Sequence, residues 1–262
     1  MGQLDGKVAV VTGGGGSGIG HGISRVLASQ GAHVVIFEID VEAAEEVVRQ
    51  IEEEGGSATA VLADISRSDN VRQAVEMVVE EKHSLDILVN NAGIGLIRPV
   101  AEANENEFDR LAAIDLRGVW LCCKYAIPHM RRQKQGSIIN IASVHSRATL
   151  PEFGIYAAMK AGVAGLTRGI AVQYGPDGIR ANTVSPGLVD GKQTREIVAR
   201  ISDDVEAYLE AFVHSEQALP NLIQPEDIGN LVAFLASDEG RMITGAEIPV
   251  DAGMWAQLSS RR

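Results

Sequence analysis

Tyr156 and Lys160, in the run Tyr156-Ala157-Ala158-Met159-Lys160, stand four residues apart, the spacing that puts two side chains on one face of an α-helix. A free phenol titrates at about pH 10, so it exchanges protons at neutral pH only beside a positive charge. An ammonium one helical turn away supplies that charge, and the pair reads as a phenol poised for general acid/base work. The spacing alone recurs by chance and gains weight from its surroundings. Ser143 follows the apolar run Ser137–Ile141 and so stands at a carboxyl strand end, where open α/β sheets build their sites.

A second constellation lies near the start of the chain. Val8–Val11 runs into Thr12-Gly13-Gly14-Gly15-Gly16-Ser17-Gly18-Ile19-Gly20, and a helical segment, His21–Gln30, follows. Glycines let backbone amides approach a pyrophosphate, and a helix N-terminus presents free N–H groups with a favourable dipole. Glu38 closes the next strand, eighteen positions beyond Gly20. Its carboxylate suits the adenosine ribose hydroxyls and repels a 2′-phosphate, which points to NAD over NADP. Asp64 ends the third strand, followed by Ile65; its carboxylate suits either an adenine amine or the cap of the following turn.

These residues require a scaffold of alternating strands and helices. Strand-like runs are Val8–Val11, His33–Phe37, Thr59–Ala63, Ile87–Asn90, Ser137–Ile141, Arg180–Val184 and Glu247–Val250. Most are apolar on successive residues, as central parallel strands covered on both faces must be. Helical periodicity marks Val41–Glu54, Asn70–Lys82, Glu105–Met130, Tyr156–Tyr174 and Pro225–Leu235, with Asp40 and Asp69 as N-caps. The expected fold is α/β and Rossmann-like: a doubly wound, seven-stranded parallel sheet in one domain over residues 1–262. The polar stretch Lys192–His214 interrupts the alternation and is expected to form a helical flap over the site.

In order and over nearly the whole chain, these motifs resemble the short-chain dehydrogenases/reductases: the Thr-Gly glycine turn, Asn90-Asn91-Ala92-Gly93, Ser143, Tyr156, Lys160 and Pro186-Gly187. The resemblance implies that Ser143 bonds the substrate oxygen and Tyr156 transfers its proton. Lys160 would hold the nicotinamide ribose and favour the phenolate. It implies phosphate contacts by Gly13, Gly18 and Gly20 with Ser17 and Ile19, and further cofactor contacts by Asn91, Ala92 and Gly93. The backbone around Pro186, Gly187 and Val189 would meet the nicotinamide amide, and Asn90 would support the central strand. A homotetramer is also implied, with the Glu105–Met130 and Tyr156–Tyr174 helices forming one interface and the last strand and its helix another; the segment after Asp251-Ala252-Gly253, with Trp255 and Arg262, is expected to pack on a neighbouring subunit.

Three departures from the family pattern stand out. The glycine turn holds four residues, Gly14 to Ser17, where three are usual. Asp115 occupies the place of an asparagine that holds a water of the proton relay, and is included with the catalytic residues. Gly191 stands where a threonine is expected, three residues before Thr194.

Beside Ser143, His145 could bind substrate, and with Arg147 and Glu152 it suggests a polar pocket for a sugar or sugar acid, as does the similarity of Ser143-Val144-His145 to sugar dehydrogenases of the family. Ile94, Leu96, Ile97, Leu150, Phe153 and Leu188 suit instead a cyclic alcohol, a steroid or a 3-hydroxyacyl thioester. An NAD-binding regulatory protein without turnover would be expected to lose Ser143, Tyr156 or Lys160; all three are present. The net charge of −12 argues against nucleic acid or anionic lipid partners. No run reaches the roughly 18 apolar residues of a membrane span, and nothing resembles a signal peptide, so a cytoplasmic location is expected. Adjacent Cys122 and Cys123 suit neither a long-range disulfide nor a zinc site, and no metal is expected.

Overall fold

The computed structural model describes residues 2–257. In chain order its strands are β1 (Val8–Thr12), β2 (His33–Glu38), β3 (Ser57–Leu62), β4 (Ile87–Asn90), β5 (Gly136–Ile141), β6 (Ile179–Pro186) and β7 (Glu247–Val250). The helices are α1 (Ile19–Ser29), α2 (Val41–Glu53), α3 (Ser68–Lys82), α4 (Glu105–Ala112), α5 (Val119–Gln133), α6 (Gly154–Tyr174), α7 (Lys192–Val198), α8 (Val205–Glu216) and α9 (Pro225–Ala236). All seven strands join one parallel sheet in the order β3-β2-β1-β4-β5-β6-β7. The Rossmann-like, doubly wound architecture expected from the apolar runs is therefore present.

Successive side chains of a strand point to opposite faces, and in the central strands β1, β4 and β5 both faces are dry. Val8 and Val10 of β1, with Val35 and Phe37 of β2, pack under α3, α5 and α6 against Val75, Leu121 and Val163. Ala9 and Val11, with Val34 and Ile36, pack on the other face under α1, α2 and α9 against Ile23, Ile51 and Val232. No helix among the described residues is long and apolar enough to cross a membrane.

The expected helix Glu105–Met130 is interrupted. Between α4 and α5, residues Ala113–Gly118 form a π-helical turn that carries Asp115. The buried positions Leu111, Asp115, Gly118, Cys122 and Ala126 keep a helical spacing through this turn, so periodicity does not reveal it. Asp40 caps α2 as expected, accepting from the Ala43 N–H at 3.1 Å. Asp69 does not cap α3: the helix starts at Ser68, Arg67 holds the cap position, and Asp69 lies in the first turn. Lys192–His214 resolves into α7 and α8. Of the expected subunit-contact segment, Arg262 lies outside the described residues.

Helices α1 and α9 meet almost backbone to backbone. A Cβ on Gly22 would come within 2.5 Å of the Pro225 carbonyl carbon, and one on Gly229 within 2.9 Å of the Gly22 carbonyl oxygen. Gly22→Ala gains about 1 kcal/mol of helix propensity but must push the helices apart, an overpacking cost of about 1–3 kcal/mol. The expected outcome is a lower thermal unfolding midpoint; a raised one would show that the α1–α9 contact is loose.

Candidate active site

The chain builds outward from β1 through β2 to β3 and then returns to β4 on the other flank of β1. Connections leaving in opposite directions open a crevice at the carboxyl ends of β1 and β4. Thr12 ties its floor, its hydroxyl accepting from the backbone N–H groups of Asn91 and Ala92 at 3.0 Å each. The Asn91 side-chain amide donates to the Thr12 and Gly13 carbonyls at 3.1 and 2.9 Å. Asn91 therefore braces the glycine turn, with its amide nitrogen committed there.

In the turn, Gly13 and Gly16 take φ values of 66° and 78°, which side chains rarely tolerate. Gly14 is pressed against Ser24 and Ile36, whereas side chains on Gly16 or Gly18 would meet nothing within 4 Å. Gly18 begins α1 with no side-chain cap, leaving Ile19 and Gly20 in a first turn whose amides and dipole favour an anion. Ser17 lines a cleft of about 810 Å³ with His21, Gly191, Lys192 and Arg195. This cradle of amides, open glycines and adjoining cleft fits a dinucleotide pyrophosphate.

Two of the departures meet here. A Cβ on Gly191 would stand 3.2 Å from the Ser17 carbonyl oxygen and 3.4 Å from Gly18 Cα, so the longer glycine turn abuts the place where a threonine side chain was expected. Thr194, three residues on, donates its hydroxyl to the Val189 carbonyl at 2.7 Å. Val189 is buried and bridges to Ile223, while the Gly187 N–H, just after Pro186, donates to the Val250 carbonyl at 3.0 Å.

Glu38 ends β2 half-buried, accepting from the Gly15 N–H at 3.3 Å and the Ile39 N–H at 2.8 Å. Each carboxylate oxygen retains a lone pair for a ribose hydroxyl. Asp64 resolves toward the turn role, accepting from the Ser66 N–H and hydroxyl at 2.9 and 2.6 Å through Oδ1. The Ile65 side chain is buried beneath Gly118, so any cofactor contact from it falls to its backbone.

The catalytic candidates converge between β5 and the start of α6. Ser143 is buried, and its hydroxyl accepts from the His145 N–H at 3.2 Å. Tyr156 occupies the first turn of α6; Lys160 is buried one turn on, its Nζ 5.5 Å from the Tyr156 ring centre. Lys160 reaches the Ile141 carbonyl at 3.5 Å and Asp115 Oδ2 at 3.0 Å. Asp115 thus stands at Lys160, and its other oxygen accepts from the Ile94 N–H at 2.8 Å. A Cβ on Gly93 would lie 2.9 Å from Asp115 Oδ2 and 3.2 Å from Lys160 Nζ, so this glycine leaves room for the pair.

His145 stacks on Phe153 with ring centres 4.4 Å apart and meets Tyr156 edge-on at 5.7 Å. Thr149 engages its Nδ1 at 2.8 Å, and burial pushes the imidazole below its ordinary range, leaving it neutral at pH 7. Arg147 does not join this polar group. Its guanidinium pairs with the buried Glu247 at 3.1 Å and lies over the Trp255 ring at 4.8 Å. Glu152 is exposed at a left-handed corner, φ 69°.

Sequence reasoning missed the residues that hold this loop. Glu247 also accepts from Ser146 and Ser185, and Trp255 Nε1 donates to the Val144 carbonyl at 2.9 Å. Beneath them, Asn90 Nδ2 donates to Asn140 Oδ1 at 2.7 Å, and Asn140 Nδ2 donates to Thr167 at 2.8 Å, linking β4, β5 and α6. A polar Asn140 inside the apolar run Ile138-Ile139-Asn140-Ile141 was the available signal. Cys122 and Cys123 are free and buried, with burial pushing the Cys123 thiol up to about 12.

Residues 14–255 match the family model described as enoyl-(acyl carrier protein) reductase. Cis-4-hydroxycyclohexanecarboxylate dehydrogenase of Sinomonas cyclohexanicum is 39% identical over 251 residues, covering 95% of this chain and 97% of its own. The chain belongs to the short-chain dehydrogenases/reductases. Among solved structures of similar fold, levodione reductase superposes with a TM-score of 0.92 at 30% identity, covering 97% of this chain and 100% of that one. NAD+-bound xylitol dehydrogenase superposes at 0.89 with 28% identity, covering 95% and 99%. This short-chain dehydrogenase/reductase is accordingly an oxidoreductase of alcohols and ketones, in a family that uses nicotinamide cofactors.

The glycine turn offers a direct check. A Cβ at position 20 would fall 2.0 Å from the Gly13 carbonyl oxygen and 2.5 Å from the Asn91 amide nitrogen. Gly20→Ala should therefore weaken dinucleotide binding by at least about tenfold, about 1.4 kcal/mol, measured by calorimetric titration with NAD and NADP separately. Unchanged affinity would place the dinucleotide elsewhere.

Proposed function

We propose that the protein is an NAD-dependent dehydrogenase of a secondary alcohol, with Tyr156 as the acid/base group and a ring-bearing alcohol as substrate. The observation that carries this reading is the buried Lys160 ammonium 5.5 Å from the Tyr156 ring, beside Ser143 at the carboxyl strand ends. In oxidation, the substrate hydroxyl gives its proton to the Tyr156 phenolate as its carbinol C–H bond breaks and the C=O bond forms; reduction reverses this. Ser143 orients the substrate oxygen, and Lys160 stabilises the phenolate. A bound nicotinamide ring supplies the hydride acceptor or donor. Gly13, Ser17, Gly18, Ile19 and Gly20 would hold its pyrophosphate, and Glu38 the adenosine ribose.

The substrate class follows from the wall beside Tyr156. Arg147 is drawn away to Glu247 and Glu152 is exposed, so of the polar set that suggested a sugar only His145 remains, stacked on Phe153. An aromatic wall with one neutral hydrogen-bonding edge favours a cyclic alcohol with a single further polar substituent. The relative named for cis-4-hydroxycyclohexanecarboxylate agrees with this reading. The likeness to a xylitol dehydrogenase supports a polyol as the second reading.

Tyr156→Phe should retain NAD binding and lose roughly 10²–10⁴-fold in turnover, the range for a positioned acid/base group. Initial rates with a panel of cyclic alcohols, polyols, sugar acids and hydroxysteroids provide the assay, and an active variant would refute the assignment. Glu38→Ser should raise the kcat/KM ratio of NADP to NAD by about tenfold or more, as removal of one repulsive carboxylate predicts. A wild-type enzyme preferring NADP would overturn the reading of Glu38.

A further inference from the structure

The lysine beneath the active site has a carboxylate partner, Asp115, as well as the Tyr156 phenol beside it. Asp115 is fully buried in the π-helical turn, and its carboxylate serves two donors from opposite sides. Oδ1 accepts from the Ile94 N–H at 2.8 Å, while Oδ2 faces Lys160 Nζ at 3.0 Å and takes no other hydrogen bond. An amide of the same shape would present a donor to one of these two donors. The carboxylate is therefore the isostere the site demands, and its charge acts on the one cation that supports Tyr156.

We propose that Asp115 is a positioning residue that sets the pH window of the reaction, holding Lys160 charged into alkaline solution while offsetting part of its field at Tyr156. This inference rests on the function proposed above. Two consequences follow from one contact. Burial by itself disfavours the ammonium, but the charges of Tyr156 and Asp115 outweigh it and hold Lys160 above the ordinary lysine range. The same carboxylate, one contact behind the ammonium, weakens the attraction that favours phenolate. Both effects move the working range toward higher pH.

The surrounding charges are few. On α6, Tyr156 and Lys160 face each other; from the π-helical turn comes Asp115, while Arg117 turns outward to the Ser66 carbonyl at 2.7 Å. From the short helix Val144–Ser146 comes His145, neutral at pH 7, with Arg147 engaged by Glu247. Among the described residues, Tyr156 and Asp115 are the groups whose charge acts on Lys160.

The test compares wild type, Asp115→Asn and Tyr156→Phe in two measurements. Tyrosinate absorbance is followed against pH in the ligand-free proteins, which hold four tyrosines; the step missing from Tyr156→Phe belongs to Tyr156. In Asp115→Asn that step should move down by about one pH unit, the size of an ordinary charge-pair effect. The kcat/KM profile for NAD with cis-4-hydroxycyclohexanecarboxylate, or with whichever panel alcohol is turned over, should shift down by a similar amount and decline earlier at alkaline pH. A tyrosinate step coincident with wild type would overturn the inference. If Asp115→Asn does not fold, Asp115→Ser, smaller and neutral, makes the same comparison with the same expected and refuting results. An active Tyr156→Phe would instead refute the proposed function, whereas an inactive Tyr156→Phe with an unmoved Asp115 variant refutes this inference alone.

Discussion

An ammonium held in the protein interior, one helical turn below a phenol, is the constraint around which this site is arranged. Taking that charge out of water costs several kcal/mol unless the fold supplies compensating partners. The compensation comes from three places in the chain: the Asp115 carboxylate from a π-helical turn, the Ile141 carbonyl from the end of β5, and the side-chain-free Gly93 that lets the pair close. Each depends on the parallel sheet, because only the carboxyl ends of β4 and β5 bring these segments beside α6. Phenolate chemistry and fold topology are thus linked through one buried charge.

The same economy appears around Ser143. Its loop is short and polar, yet it is fixed by contacts from the far end of the chain, where Glu247 takes Arg147, Ser146 and Ser185, and Trp255 grips the Val144 carbonyl. These contacts divert Arg147 from the substrate side and leave His145 and Phe153 as the wall. Loop anchoring and the lining beside Tyr156 are therefore consequences of one set of bonds. A change at Glu247 in β7 would be felt at the Ser143 loop without touching Ser143 itself.

Much of this was legible in the amino-acid order because the signals are local. Consecutive valines and isoleucines in β1, β2 and β4 report strands covered on both faces, and a four-residue spacing places Tyr156 and Lys160 on one side of α6 whatever surrounds it. The illegible part is non-local. Arg147 and Glu247 are a hundred residues apart, so their pairing is invisible until the sheet is assembled. Asp69 is a plausible cap by residue type, yet α3 begins one residue earlier at Ser68, a boundary set by how the chain turns after β3, where Asp64 holds Ser66. The π-helical turn keeps the helical spacing of buried positions in the α4–α5 segment, so its presence is written only in the backbone.

The departures from the family pattern are less independent than their separation in sequence implies. The longer glycine turn places Ser17 and Gly18 against Gly191, where a side chain would crowd the Ser17 carbonyl. Gly15, in the same turn, donates to Glu38, so the added length also fastens the carboxylate expected to read the ribose. The turn thus reaches both flanks of the cleft, through Ser17 and Gly18 at the start of α7 and through Gly15 at the end of β2. A side chain introduced at 191 would press on the Ser17 carbonyl, 3.2 Å from its Cβ, so the turn and position 191 constrain each other. The two positions work as a unit because both belong to the wall of one cleft.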